Sequence, residues 1–281
     1  MNRSDRIKLN FLRNWGLPGK ERLSHWLKPS VELKANLTGG IVWLKDEPIA
    51  IHTSADSYIE WTILTTGTYE DEINQLIRIS VKSGGVALDI GANIGLQSIR
   101  MAQAVGTDGR VYAFEPLVYL QKKFISNIKL NKADNVCLLP FALSNAESEV
   151  DFKISTNNWN QGTFSIGNNS QGSESQRVII KIADELPEIQ ELEKLDLIKI
   201  DVEGFEYQVL QGLKKTLTKF KPRIIFEYDH NYWLSNGQNI EECFSFLTSL
   251  NYTLYQITPV GCELIKAQDG IASGNLFCLP Q

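Results

Sequence analysis

The 281-residue chain has only four cysteines, three histidines and two methionines, and each scarcity narrows what it can be. Cys137, Cys243, Cys262 and Cys278 form no C-x-x-C pair, and two of them sit in apolar strand-like runs. They read as reduced structural thiols of a cytoplasmic protein, not as a zinc or disulfide framework. No apolar run reaches the length of a membrane span, and the start "MNRSDRIKLNFLRNWGLPGK" has no continuous apolar stretch of the kind a signal peptide needs. A basic excess is also missing. With 28 Lys and Arg against 33 Asp and Glu the net charge is −5, so a nucleic-acid partner and a membrane surface are both disfavoured. Two local exceptions exist. Residues 1–34 carry eight basic residues against Asp5, Glu21 and Glu32, and 214–223 carries five behind a predicted helix, where cations complement the macrodipole. Finally, Asn93 stands where a G-x-G-x-x-G fingerprint needs glycine, and no other copy follows a strand, so a nicotinamide dinucleotide is disfavoured.

What is present is a core. Hydrophobic residues make up 43% of the chain. From residue 81 onward short apolar runs alternate with helical patterns, the signature of βα units feeding a mostly parallel sheet. Strands are expected at "VALDIG" (86–91), "GRVYAFEP" (109–116), "NVCLLPFALS" (135–144), "LDLIKID" (195–201), "RIIFEYD" (223–229), "YTLYQI" (252–257) and "GNLFCLP" (274–280). Helices are expected over 94–105, 120–131, from about 203 to 217, and near 240–250. No helix separates the last two strands, so they pair antiparallel as a closing hairpin. Ahead of the first strand, Thr68 three residues before Asp71 is a capping-box pattern for a helix with Ile73, Leu76 and Ile77 inward. Tyr69 and Glu70 then lie at a helix amino end beside the ligand-binding edge of the sheet, where they either touch a cofactor or only cap and pack. Residues 155–176 are too polar to bury a core and read as an exposed part of a β-hairpin insertion (147–182), with Trp159 and Phe164 either gripping an acceptor or packing on the domain. Residues 1–66 read as a small α/β extension, an acceptor-side or oligomerisation element. The main domain is 67–281.

"DIGANIG" (89–95) turns from strand to helix through Gly91, Ala92, Asn93 and Gly95, so backbone can approach a ligand at a helix amino terminus. Asp89 at the strand end suits a cationic ligand. S-adenosyl-L-methionine carries an ammonium and a sulfonium, and Glu115, with Pro116 behind it, ends the next strand where a carboxylate accepts both ribose hydroxyls.

"GTYEDE", "LDIGANIG", "VYAFEP", "NIKLN", "FALSN", "LIKIDVEGFEYQVLQG" and "RIIFEY" resemble, in order, the motifs of the FkbM family of S-adenosylmethionine-dependent methyltransferases. The resemblance runs from about residue 67 to the end. It implies a class I, Rossmann-like methyltransferase fold of the α/β class, with a seven-stranded sheet and a closing hairpin, and O-methylation of a natural product, peptide or sugar. It also implies that Asp89 to Gly95 line the methionine part, Glu115 the ribose, and the turn around Phe141 and Ala142 the adenine. In such a sheet the fourth strand ends beside the transferring methyl, so Asp201 and Glu203 face the cleft. Lys199 is expected to pair with Glu227 across the ladder. Glu206 reads as a first-turn acid rather than a catalyst. A hydroxyl acceptor needs a base, for which His230, just past the fifth strand, and Asp201 both qualify; a carboxylate acceptor needs none. Asp201, Glu203, Glu227 and His230 leave magnesium open, though spacing this loose does not favour it and no metal ligand is assigned. The competing reading is a catalytically silent S-adenosylmethionine-binding protein.

Overall fold

Strand β3 (Val86–Ile90) is buried along its whole length, which is what an apolar run becomes at the centre of a parallel sheet covered on both faces. The structure, a computed structural model, describes residues 7, 11, 40–54, 57–154, 174–258, 260–266 and 270–281. In chain order these contain β1 (Gly40–Trp43), β2 (Ala50–Thr53), α1 (Tyr58–Thr66), α2 (Asp71–Ser80), β3, α3 (Leu96–Val105), β4 (Arg110–Phe114), α4 (Val118–Leu130), β5 (Val136–Leu139), β6 (Ala142–Ser144), β7 (Ser148–Ile154) and β8 (Glu174–Ile182). There follow α5 (Pro187–Gln190), β9 (Leu197–Ile200), α6 (Glu206–Gly212), α7 (Lys214–Phe220), β10 (Arg223–Tyr228), α8 (His230–Ser235), α9 (Ile240–Ser249), β11 (Tyr252–Thr258), β12 (Gly261–Leu264) and β13 (Gly274–Pro280).

The main sheet has the order β12-β11-β13-β10-β9-β3-β4-β5. Strands β10, β9, β3, β4 and β5 are parallel, and β13 runs antiparallel between β10 and β11. The expected seven strands and closing hairpin are therefore present, with exposed β12 added at the edge beside β11. The chain leaves β3 toward β4 and β5 on one side and returns to β9 and β10 on the other, so the carboxyl ends of β3 and β9 flank a crevice where ligands bind in such sheets. No helix among the described residues is long and apolar enough to cross a membrane.

Two expected elements divide. "NVCLLPFALS" splits at Pro140, which lacks an amide hydrogen: β5 stays in the main sheet while β6 joins β7 and β8 in a separate three-stranded sheet, ordered β6-β8-β7. The helix expected from about 203 to 217 breaks at Leu213 into α6 and α7, where Asp184 accepts the amides of Lys215 and Thr216 and so starts the second segment. The antiparallel pairing of β7 with β8 supplies the inserted hairpin, while Trp159 and Phe164 lie outside the described residues.

The β1–β2 hairpin is fastened by "NIKLN". Asn127 on α4 and Asn131, which caps its carboxyl end, stand one turn apart, and their amide oxygens accept His52 N and Ala50 N, each at 2.9 Å. Asn131 returns a bond to Ala50 O at 2.7 Å, so side chains satisfy the strand edge that no strand covers. Val42, Leu44, Ile49, Ile51 and Ile63 share one apolar cluster with Ile99, Val111 and Leu197, and no break in packing falls at residue 66.

Candidate active site

A cavity of about 520 Å³ opens at the carboxyl edge between β3 and β9. Its wall carries seven acids, Glu60, Glu70, Asp89, Glu115, Asp201, Glu203 and Glu227, and two lysines, Lys123 and Lys199. Tyr69, Gly91, Ala92, Asn93, Pro116, Phe141 and Ala142 also line it, so all but one of the cofactor residues expected from sequence meet in one place. The exception is Gly95. A Cβ there would sit 2.8 Å from the Phe124 ring, so this glycine, at φ +87°, allows α3 to start against α4 and does not touch the cavity. Gly91 is required by a still closer approach, because a Cβ on it would lie 1.9 Å from Asp201 O. That contact is what brings the β3 turn and the end of β9 together.

On the β3–β4 side the acids are held by neutral donors. Glu115 is almost fully buried, with Oε2 taking the Asn93 amide and Oε1 the Leu117 amide, both at 2.9 Å. Burial pushes its carboxyl up to about 8 against the pull of those two bonds. Asp89 Oδ2 accepts Ser98 Oγ at 2.5 Å, while Oδ1 is buried with no hydrogen-bond partner. Burial raises this group too, opposed by the Lys199 ammonium. Glu70 sits at φ 50° just before α2 and accepts Gln97 Nε2 at 2.8 Å. Its backbone is fixed from below by Arg100, which donates to Tyr69 O at 2.7 Å and grips Glu47 of the β1–β2 turn through Nε (3.0 Å) and Nη2 (2.5 Å). Thr68 does contact Asp71, but side chain to side chain, and the position before the helix belongs to Glu70.

On the β9–β10 side the acids hold one another. The parallel register pairs Asp89 with Lys199 and Phe226 with Ile200, which sets Glu227 beside Asp201 one residue on. Lys199 Nζ lies 2.9 Å from Asp201 Oδ2, and this replaces the expected Lys199–Glu227 pair: two residues apart at the end of β9, the ammonium and carboxylate share a face without crossing the ladder. Burial opposes the charge of Lys199, but Asp201, Glu70 and Asp89 outweigh it and hold the ammonium above lysine's ordinary value. Glu227 is pushed up to about 9, first by the charge of Asp201, to which it is hydrogen bonded, and then by burial. Glu203 lines the cavity at φ 50°. Glu206 turns back from α6 to take the amides of Val202 (2.9 Å) and Gly204 (3.0 Å), clamping the loop that presents Asp201 and Glu203.

His230 does not enter the cavity. It is exposed at the start of α8, just past the Asp229 cap, with its Nδ1 3.0 Å from Tyr228 Oη. Without it the four-residue magnesium set does not assemble, and among the described residues no three His, Cys, Asp or Glu are grouped to hold a metal ion. Sequence reasoning missed Ser57, Tyr58 and Glu60 of the extension, Tyr119 and Lys123 on α4, and Tyr232 on α8. Polar Gln97 and Ser98 in the first turn of the helix, both buried, were a signal of the support beneath Glu70 and Asp89.

A family model described as the methyltransferase FkbM domain matches residues 89–254, a stretch that begins at Asp89 and takes in Glu115, Asp201 and Glu227. The chain belongs to that family. This FkbM-domain chain is 30% identical over 148 residues to the hexuronic acid methyltransferase AglP of Haloferax volcanii, the match covering 53% of this chain and 58% of AglP. It is 29% identical over 196 residues to the AMB antimetabolite synthetase AmbE of Pseudomonas aeruginosa, covering 57% of this chain and 9% of AmbE. Among solved structures it is similar to the methyltransferase FkbM of Methylobacillus flagellatus, with a TM-score of 0.43 and 12% identity over 79% of this chain and 53% of that one.

Proposed function

We propose that this chain transfers a methyl group from S-adenosylmethionine to an oxygen of a small-molecule, peptide or glycan acceptor. The observation that carries the reading is one cavity that joins the Asp89–Glu115 pocket to the Asp201–Glu227 pair across the switch point of the sheet. Its residues fit the cofactor. Asp89 offers a buried carboxylate oxygen without a partner, a natural acceptor for an ammonium, and Glu115 has each oxygen held by one backbone amide, which leaves acceptor capacity for ribose hydroxyls. Phe141 and Ala142 line the same cavity, which supports their assignment to the adenine. S-adenosylmethionine, when bound, supplies an activated methyl on a sulfonium for in-line displacement.

The protein's own part is to position, to exclude water and to move one proton. Asp201, at the end of β9 and held by Lys199, is placed to accept a hydroxyl proton, and Glu227 beside it shares that charge. Arg100, Glu47 and Gln97 fix the Tyr69–Glu70 turn over the cavity. Ser57, Tyr58 and Glu60 reach the same wall from the extension, which supports an acceptor-side role for residues 1–66. The likeness to AglP supports a glycan among the acceptor classes.

The test is calorimetric titration of the purified protein with S-adenosylhomocysteine, with NAD as control. Binding of the first and not the second is expected. Binding of NAD, or of neither, overturns the proposal.

A further inference from the structure

Helix α4 starts without a cap of its own. Leu117 holds the capping position, and its apolar side chain cannot accept an amide, so the amides at this helix start need acceptors from elsewhere. Glu115 Oε1 takes the Leu117 amide at 2.9 Å. The Val118 amide goes to Gln176 Oε1 at 2.9 Å, and Gln176 Nε2 donates to Pro116 O at 2.8 Å. One carboxamide thus makes the two bonds that a neighbouring strand would make, and it makes them to the residues directly behind Glu115. Gln121 Nε2, donating to Glu115 O at 2.8 Å, completes the hold on this loop.

Gln176 comes from β8, the middle strand of the three-stranded sheet, where it is paired with Phe152 of β7. It shares a face of β8 with Val178, which is buried, and Ile180, which lines the cavity, so its side chain is aimed at the domain. The same sheet supplies Leu143, Ser144, Ser148 and Val150 to the cavity wall. Gln176 does not line the cavity itself. Whatever it contributes to ligand binding therefore passes through the loop it holds.

Resting on the methyl-transfer reading, in which Glu115 receives the ribose, we propose that the three-stranded sheet is part of the cofactor site and that Gln176 is a positioning residue for Glu115. By fixing Pro116 and Val118 it keeps the Glu115 carboxylate turned toward the ribose hydroxyls. Without it the loop has more freedom to give up when the cofactor binds, and affinity falls.

Calorimetric titration with S-adenosylhomocysteine across a double-mutant cycle tests this. Gln176→Ala should weaken binding by roughly 3- to 30-fold. Gln176→Glu, which keeps an acceptor for Val118 and loses the donor to Pro116, should fall between that variant and wild type. In a Glu115→Ala background Gln176→Ala should have no further effect, because no carboxylate is left to orient. Gln176→Met, which fills similar space without either bond, takes the place of the alanine variant if that one gives no cooperative melt. Wild-type affinity in Gln176→Ala, or the same fold-loss with and without Glu115, overturns the inference while leaving the cofactor reading standing. Wild-type protein that does not bind S-adenosylhomocysteine overturns the methyl-transfer reading and this inference with it.

Discussion

The two ends of the cavity hold their acids by different means. Toward β3 and β4, Glu115, Asp89 and Glu70 are fixed by amides, a hydroxyl and a carboxamide, all neutral. Toward β9 and β10, Asp201 is held by an ammonium on one side and a hydrogen-bonded glutamate on the other. Neutral donors make a rigid cradle whose charge is left to meet a ligand. Charged partners make a site in which a proton gained or lost at one group is felt by its neighbours.

The largest effect should come from cutting that second arrangement. Asp201→Asn keeps the shape but removes the carboxylate, so transfer to a hydroxyl should fall roughly 10²- to 10⁴-fold, the usual span for a lost general base. The affinity for S-adenosylhomocysteine should stay within a few-fold. A product-formation assay beside a calorimetric titration reads both; equal loss of both would mean that Asp201 belongs to the cofactor cradle and that the two ends are not distinct.

Cutting the first arrangement should give the opposite pattern. Glu115→Ala removes the acceptor for two hydroxyls, each such bond contributing about 0.5–1.5 kcal/mol, so affinity should drop roughly 5- to 150-fold. It also leaves the Asn93 and Leu117 amides without their partner, and Glu115→Gln, which keeps one acceptor oxygen, should lose less. Affinity unchanged in the alanine variant would remove the ribose assignment.

The same contrast decides what sequence could reveal. "DIGANIG" and "AFEP" are local: Gly91, Asn93 and Glu115 meet because adjacent strands are in register, so spacing and residue type were enough to place them. Breaks in hydrophobic pattern likewise marked Lys199, Asp201 and Glu203. The partner of Lys199 was not legible, because choosing between Asp201 two residues along and Glu227 on the next strand depends on side-chain direction. Nor was the contribution of Ser57 and Glu60, which depends on contacts distant in sequence: Asn127 and Asn131 fasten the hairpin that precedes α1, and Lys123 pairs with Glu60. Gly95 was misplaced for a related reason: a glycine needed for contact with a distant phenylalanine looks, in sequence, like one needed for a ligand.

A smaller effect concerns pH. Glu206, Glu115 and Glu227 are raised to about 7, about 8 and about 9. The folded protein therefore holds these protons more tightly than the unfolded chain, whose glutamates titrate near 4.3. The stability they contribute is complete below that range and declines from there until pH passes the folded values, so the melting temperature of the ligand-free protein should fall from about pH 4.5 to about pH 9, most steeply below about pH 7 where all three contribute. Glu227 owes its shift first to Asp201 and Glu115 first to burial. Asp201→Asn should accordingly flatten the part of the fall near 9 and spare the part near 8. A melting temperature that rises with pH, or a uniform change of slope, would show that the two ends titrate alike.

The smallest effect is expected at His230. From sequence it rivals Asp201 as the base, since it is an imidazole just past the fifth strand. The fold turns it outward: it is exposed, its amide donates to Ser273 Oγ at 3.0 Å and its ring meets Tyr228 Oη. His230→Gln removes the imidazole and keeps a polar side chain at an exposed helix start, a type of change usually within about 0.5 kcal/mol. Transfer should then stay within roughly a factor of two, with the acidic limb of its pH profile unmoved. If that limb shifted or the rate fell by orders of magnitude, the proton would leave through the β10–α8 turn, and the acid pair at the end of β9 would have to be reassigned as support.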